Sequence, residues 1–291
     1  MLKTVAVYSR DSNKETKKAV IRLISEFSRQ GVEVFVYNPP KNIDCFEDIL
    51  AKRFTELSML PALPEMALSV GGDGTFLETA INVKDTGMPV AGINTGRMGF
   101  LANIPTDDIE QSISMLVNND YTIIERCCLK LEEPKYLFSS NESLALNEIV
   151  IHKANFNMIT IKVEVDDKHL NTYWSDGLII STATGSTAYN LSSGGPILSP
   201  DDTSIIISPI SPHNLTVRPI VLSGQSKLKL TVEGRSREYM ITCDSRSKRA
   251  PFSGEVHISM DSVKLKTIML KGMDFYSTLR NKLMWGLDKR N

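Results

Sequence analysis

Met66-Ala67-Leu68-Ser69-Val70-Gly71-Gly72-Asp73-Gly74-Thr75-Phe76-Leu77-Glu78-Thr79-Ala80-Ile81 runs from an apolar stretch, through a glycine-rich turn, into a helical pattern. Residues 66–70 read as a buried strand and residues 76–81 as the first turns of a helix. The Asp73 carboxylate sits on a tight strand-to-helix turn, flanked by Gly72 and Gly74. Glycine lets a ligand come up against the backbone. The helix behind it presents free N–H groups and a positive dipole end to an anion. A phosphate docked there has an acid beside it, which suits phosphoryl transfer. Gly and Asp are also ordinary turn residues, so the rest of the chain must decide.

Working outward, the first third alternates strand and helix. Residues 3–9, 32–36, 66–70 and 89–93 read as strands. Residues 14–29, 46–57 and 107–117 read as helices, the first with Ala19, Leu23, Ile24 and Phe27 at helical spacing before Gly31. This alternation predicts an α/β domain with a parallel sheet over residues 1–125. Ligands of such sheets bind at the carboxyl ends of strands. Both the 71–75 turn and Asn94-Thr95-Gly96-Arg97-Met98-Gly99 lie at strand ends.

Beyond residue 125 the period changes. Ile159, Ile161, Val163 and Val165 alternate with polar residues. So do Leu228, Leu230 and Val232, and Val256, Ile258 and Met260. Period-two alternation predicts an all-β, sandwich-like domain over residues 126–271. Residues 272–291 regain helical spacing at Phe275, Leu279, Leu283 and Leu287 and are expected to pack on the first domain. The basic run 245–249 reads as a solvated loop.

The chain has 291 residues, 33 Lys plus Arg, 34 Asp plus Glu and a net charge of −1. No basic excess marks it for nucleic acid or an anionic membrane. No 18-residue apolar run or signal peptide stands out, so a cytoplasmic protein is expected. Cys45, Cys127, Cys128 and Cys243 have no metal-ligand spacing and read as buried or inert thiols.

Two further clusters carry chemistry. Asn147-Glu148 interrupts an apolar strand, and a carboxylate there needs partners; it reads as a pair for sugar hydroxyls and a base edge, or as a strand end in water. Trp174-Ser175-Asp176-Gly177 then feeds a buried strand into a Ser/Thr/Gly-rich run. That run contains Thr187, Ala188, Tyr189, Asn190, Leu191 and Ser192. It supplies hydroxyl and main-chain donors and one aromatic face.

In this order, the clusters resemble the NAD kinase family. The family carries a Gly-Gly-Asp-Gly motif, a later Asn-Glu pair, and an Asp-Gly-Leu-Ile followed by a Thr/Gly/Ser-rich run ending in Ala-Tyr. The resemblance spans essentially the whole chain and implies ATP-dependent phosphorylation of the 2′-hydroxyl on the adenosine ribose of NAD. Asp73 would act on that hydroxyl as base or as orienting acceptor, while Gly72 and Gly74 admit the phosphates. Asn147 and Glu148 would hold base and ribose. Asp176 would contact the nicotinamide end, in a subunit's own site or a neighbour's, with Trp174 two residues before it, and residues 187–192 would enclose the adenosine. Mg²⁺ would bridge the ATP phosphates without a protein ligand set. The family forms dimers and tetramers, which implies a homo-oligomer.

Ala183 and Trp174 depart from the family's usual residues. So does Asp244-Ser245-Arg246, where Asp-Gly-Gln is frequent and Arg246 becomes a candidate cationic contact. Two rivals remain at this stage: a lipid or sugar kinase sharing the glycine turn, and a non-enzymatic NAD(P) sensor. The Asn147-Glu148 pair argues against the first, and an acid beside phosphate argues against the second.

Overall fold

A computed structural model describes residues 2–10, 13–38, 52–96 and 99–284. The chain divides into two compact units, residues 1–124 with 265–291, and residues 125–264. Among the described residues no helix is long and apolar enough to cross a membrane.

The first unit begins with β1 (Thr4–Ser9), α1 (Lys14–Arg29), β2 (Glu33–Tyr37), β3 (Lys52–Phe54), β4 (Met66–Gly71), α2 (Asp73–Val83), β5 (Val90–Asn94), β6 (Ile104–Pro105), α3 (Ile109–Val117) and β7 (Tyr121–Arg126). The Asn13 side chain caps α1 by accepting from the Thr16 N–H at 2.9 Å. The helix buries Ala19, Val20, Leu23 and Phe27 on one face. Gly31, at φ 77°, turns the chain into β2.

One expectation is corrected here. Of the helix expected over residues 46–57, residues 46–51 lie outside the described residues, and Lys52–Phe54 is a strand paired parallel with β2. Phe54 packs its ring edge-on to Tyr8, with centroids 5.7 Å apart. Tertiary pairing outweighs local spacing in so short a segment.

The strands run β3-β2-β1-β4-β5 across the sheet, each parallel to its neighbours. β1 has β2 on one side and β4 on the other, so the order reverses between β1 and β4. That reversal opens a crevice at the carboxyl ends of these two strands. β1 delivers Arg10 there and β4 delivers the glycine turn.

The second unit holds β8 (Leu129–Glu133), β9 (Leu144–Ala145), β10 (Glu148–Lys153), β11 (Ile159–Val165), β12 (Lys168–Ser175), β13 (Gly177–Ser181), the one-turn α4 (Tyr189–Ser192), β14 (Ile205–Ile210), β15 (Ile220–Leu222), β16 (Leu228–Gly234), β17 (Glu238–Cys243), β18 (Arg246–Pro251) and β19 (Glu255–Met260). They form two antiparallel sheets, β15-β14-β13-β10-β17-β18 and β12-β11-β16-β19-β8-β9. Ile149, Ile151, Leu178 and Ile180 of one sheet share a core with Ile161, Val163, Leu230 and Val256 of the other. This is the sandwich that the alternation predicts.

The basic run 245–249 is not a loop. Cys243 pairs with Arg246 across a two-residue turn, and the run forms the edge strand β18. Charged residues on an edge discourage further strand pairing.

The chain then returns to the first unit with β20 (Leu265–Leu270) and α5 (Phe275–Leu283). β20 falls inside the range expected for the β domain, yet it lies between β5 and β7 and runs parallel to β5. Leu265, Thr267, Ile268, Met269 and Leu270 are all buried. Burial on both faces is the mark of a central strand in a parallel sheet. Removing β20 should therefore disrupt the first unit selectively. A chain ending at Lys264 is expected to lose amide protection along β5 and keep it along β11 and β16. Hydrogen exchange reads both, and protected β5 amides in the shortened chain would contradict this account.

Candidate active site

Two clusters of polar groups stand out, one in each unit. In the first, α2 begins at Asp73 with Gly72 as its N-cap. An acid in the first turn faces the positive end of the helix dipole. The Asp73 side chain reaches the loop after β5, and Oδ2 accepts from the Phe100 N–H at 2.9 Å. Oδ1 accepts from the N–H groups of Leu101 at 3.1 Å and Ala102 at 2.9 Å. The loop closes on itself through the Gly99 N–H, which donates to the Ala102 carbonyl at 3.1 Å. A Cβ on Gly99 would stand 1.8 Å from Asp73 Oδ1, so the absent side chain is what lets the carboxylate in.

A carboxylate has about four lone-pair directions, and three are taken here. The Lys282 ammonium approaches Oδ2 to 3.8 Å. On the other side of the turn, Arg10, Gly72, Gly74 and Thr75 line a cleft of about 270 Å³ at the β1/β4 reversal. Arg10 is held by Glu78 of α2 at 3.1 Å. The cleft thus combines a cation, a helix N-terminus and glycine backbone, the components of a phosphate site.

In the second unit, Asn147 and Glu148 start β10. They are organised by Asp244, which adopts a left-handed conformation (φ 50°) in the β17–β18 turn. Asp244 accepts from three successive N–H groups: Leu146 at 2.9 Å, Asn147 at 2.8 Å and Glu148 at 3.2 Å. Its side chain is completely buried, with the Arg246 guanidinium 3.7 Å away. Burial pushes the Asp244 carboxyl upward against the pull of those donors. Arg246 also donates to the Leu144 carbonyl.

The turn at residues 182–185 lies on the same spot. The Thr182 N–H donates to the Asn147 carbonyl at 2.9 Å, and the Thr182 hydroxyl to the Leu146 carbonyl at 2.6 Å. A Cβ on Gly185 would stand 2.1 Å from the Asn147 carbonyl oxygen. The Tyr189 main chain lies by the Glu148 carboxylate and favours its charged form. Burial first, and the Asp244 charge second, push Glu148 up to about 8. Glu148 Oε2 and Arg246 Nε are both buried without a hydrogen-bond partner among the described residues. Unpaired buried groups are costly, and two in one cluster point to an absent ligand.

Both units have counterparts in known families. Residues 9–121 match the model of the ATP-NAD kinase N-terminal domain, and residues 146–270 match that of the ATP-NAD kinase C-terminal domain. The chain belongs to the NAD kinase family. The NAD kinase of Flavobacterium johnsoniae is 39% identical over 293 residues, with 99% of each chain covered. That of Bacteroides fragilis is 43% identical over 228 residues, or 78% of each chain. The solved NAD kinase of Archaeoglobus fulgidus in complex with ATP superposes with a TM-score of 0.76 at 25% identity, covering 97% of this chain and 98% of that one. Yeast NADH kinase complexed with NADH shares the fold at a TM-score of 0.85 and 20% identity, covering 99% of this chain and 89% of that one.

Not all the residues singled out in the sequence gather together. Asn147, Glu148, Arg246 and the start of α4 form one cluster. Trp174 and Asp176 do not join it. Gly177 pairs with His152 at the far end of β10, and Ser181 pairs with Glu148. Asp176 lies next to Gly177, so it sits roughly 17 Å along the strand from Glu148. There the Lys153 ammonium donates to Asp176 at 2.5 Å, and Trp174 is exposed. Thr187, Ala188, Leu191 and Ser192 lie at the surface of the 184–192 turn, and Tyr189 presents 41% of its surface to solvent.

Asn190 is fully buried. Its amide donates to the Ser186 and Pro196 carbonyls and its oxygen accepts from the Ser208 hydroxyl at 2.7 Å, so it holds the turn together. Burial raises Cys127 and pushes Cys243 up to about 12, which leaves both thiols inert; Cys45 lies outside the described residues. Sequence reading missed Arg10, Lys282 and the organising role of Asp244. Nothing local marks Arg10 or Lys282. Asp244 does carry a signal, because it heads a short turn between two alternating stretches.

Two outcomes are expected. Gly99→Ala should displace the Asp73 carboxylate and lower kcat by about 10²-fold, the scale of a 1 Å misplacement, with folding intact by circular dichroism. Glu148 should make the free protein less stable as pH rises. Between its ordinary value of 4.5 and about 8, the folded chain keeps a proton that the unfolded chain releases. The stabilisation is complete below the lower value and lost as pH climbs through the upper one, an upper bound of about 5 kcal/mol. Urea midpoints from pH 5 to 9 should fall less for Glu148→Gln than for the parent chain.

Proposed function

We propose that the chain transfers the γ-phosphoryl group of ATP to the 2′-hydroxyl of the adenosine ribose of NAD, releasing ADP and NADP. The observation that carries this reading is the Asp73 carboxylate, fixed by three N–H groups at the strand-order reversal with one acceptor direction left over. A substrate hydroxyl donating to that direction is oriented for attack. The new O–P bond forms as the bond from the γ-phosphorus to the departing ADP oxygen breaks. The hydroxyl proton passes to Asp73 if the residue is a base; if it only orients, the proton leaves with the product phosphate.

The triphosphate uses the Arg10 cleft, the N–H groups at the head of α2 and the bare backbone of Gly72 and Gly74. Among the described residues no three His, Cys, Asp or Glu side chains converge. Mg²⁺ would arrive on the nucleotide, held by its phosphates. Bound there, it would supply positive charge against the charge of the transferring phosphate.

Glu148 Oε2, the unpaired buried acceptor, takes the hydroxyls of a ribose far from the transferred phosphate, and the Tyr189 ring covers the adenosine. Asn147 reads the base edge, and Arg246 offers its unpaired Nε–H to a nearby acceptor of the nucleotide. Trp174 and Asp176 stand too far from Glu148 to share its part of the ligand. We assign them to the nicotinamide end of a neighbouring subunit's site, in a homodimer or tetramer. Inert thiols at Cys127 and Cys243 suit the reducing cytoplasm.

Incubation with NAD, ATP and Mg²⁺ should yield NADP, detected with an NADP-specific dehydrogenase. Asp73→Asn should lower kcat by about 10²- to 10⁴-fold with NAD still bound. Glu148→Gln should instead raise the KM for NAD roughly ten- to a hundredfold with kcat largely kept, because the ribose contact is uniform binding. Hydroxyl donors favour the ionised carboxylate, so NAD affinity should rise with pH up to about 8 and then level off. That limb should be absent in Glu148→Gln. A severe kcat loss with unchanged KM would move Glu148 into the chemical step.

A further inference from the structure

α5 has no fully buried residue. Core packing therefore gives little reason for its position. Its start is fixed by Asp274, whose side chain accepts from the Ser277 N–H at 2.8 Å. Its last turn carries Arg280 and Lys282. Lysine there is expected to point into water, near the negative end of the helix dipole. Lys282 does something else. Its ammonium lies 4.2 Å from the centre of the Phe100 ring and 3.8 Å from Asp73 Oδ2.

These contacts close a triangle. The Phe100 N–H donates to Asp73 Oδ2, the same oxygen that Lys282 approaches. The Phe100 ring carries the ammonium on its face, where the ring quadrupole attracts a cation. One cation thus acts on the carboxylate and on the loop residue that holds it. At 3.8 Å the ammonium is outside hydrogen-bond range, so it leaves the last acceptor direction of Oδ2 to another donor.

We propose that Lys282 is a positioning residue for phosphoryl transfer: it fixes the rotation of the Asp73 carboxylate and the Phe100 loop, so that the open acceptor direction meets the substrate hydroxyl. The proposal rests on Asp73 acting on that hydroxyl. It gives the C-terminal helix a part in the chemical step. It also predicts a kinetic signature: a group that acts by aligning the attacking hydroxyl affects the transition state and leaves substrate binding alone.

The test compares Lys282→Met, which keeps length and removes charge, with Lys282→Arg, which keeps both the charge and the ring contact. Arg280→Met, on the same helical turn, is the control. Lys282→Met is expected to lower kcat about tenfold, with the KM values for NAD and ATP within about twofold of the parent. That is a transition-state loss of about 1.4 kcal/mol. Lys282→Arg should restore most of the kcat, and Arg280→Met should match the parent. The lysine is partly exposed, so added salt should screen it. Raising ionic strength should lower kcat in the parent chain and have a smaller effect in Lys282→Met. Melting temperatures should agree within about 2 °C, because an exposed pair adds little stability.

Parent-like kcat in Lys282→Met overturns the proposal. So does an equal loss in Lys282→Arg, or a loss that appears only in the KM values. A parent chain that makes no NADP fails at the earlier reading and is distinguished by that result alone.

Discussion

The Asp73 carboxylate accepts from three consecutive N–H groups, and much of the first unit is arranged to make that possible. β4 must end where α2 begins, which places the acid at the positive end of the helix. The loop after β5 must fold back so that Phe100, Leu101 and Ala102 all point inward. Gly99 must lack a side chain, since the carboxylate occupies the space of its Cβ. These bonds cost little reorganisation at the moment of reaction, because the donors are main chain and already in place. Preorganisation of this kind suits phosphoryl transfer, where positioning and electrostatics carry most of the catalysis.

The second unit uses the same device for another purpose. Asp244 gathers the N–H groups of Leu146, Asn147 and Glu148, also three in succession. The difference lies in access. Asp73 keeps part of its side chain open, whereas Asp244 is sealed. The first is open to a further donor, and the second can only shape the strand it holds. Asp244 also places a charge beside Glu148, which together with burial keeps that carboxyl protonated well above its ordinary range. One hairpin turn thus sets both the backbone around Glu148 and its protonation.

Much of this was legible in the sequence, for a physical reason. Residues 66–81 encode strand, turn and helix in one stretch, and period-two alternation marks β11, β16 and β19 without ambiguity. β20 was misplaced because a strand covered on both faces has no alternation that tells one sheet from another. β18 hid as a charged loop because edge strands carry the residues of solvated segments. Asp73 and Glu148, one in each unit, announced themselves by interrupting apolar runs. Arg10, Asp244 and Lys282 did not, because their roles come from chain segments that meet only after folding. Lys282 and Asp73 are separated by more than two hundred positions, a distance no local pattern spans.

The return of β20 also bears on how the protein is made. A ribosome delivers the whole of residues 125–264 before the last strand of the other unit. The unit encoded first is completed last. Until β20 emerges, β5 and β7 lack their shared neighbour, and a nascent chain in that state carries unpaired strand edges. Such edges invite pairing with other chains, a known hazard of proteins whose contacts span long sequence separations. The interval is set by translation speed, at roughly 5–20 residues per second. Slow translation across the second unit would lengthen the exposure of the first.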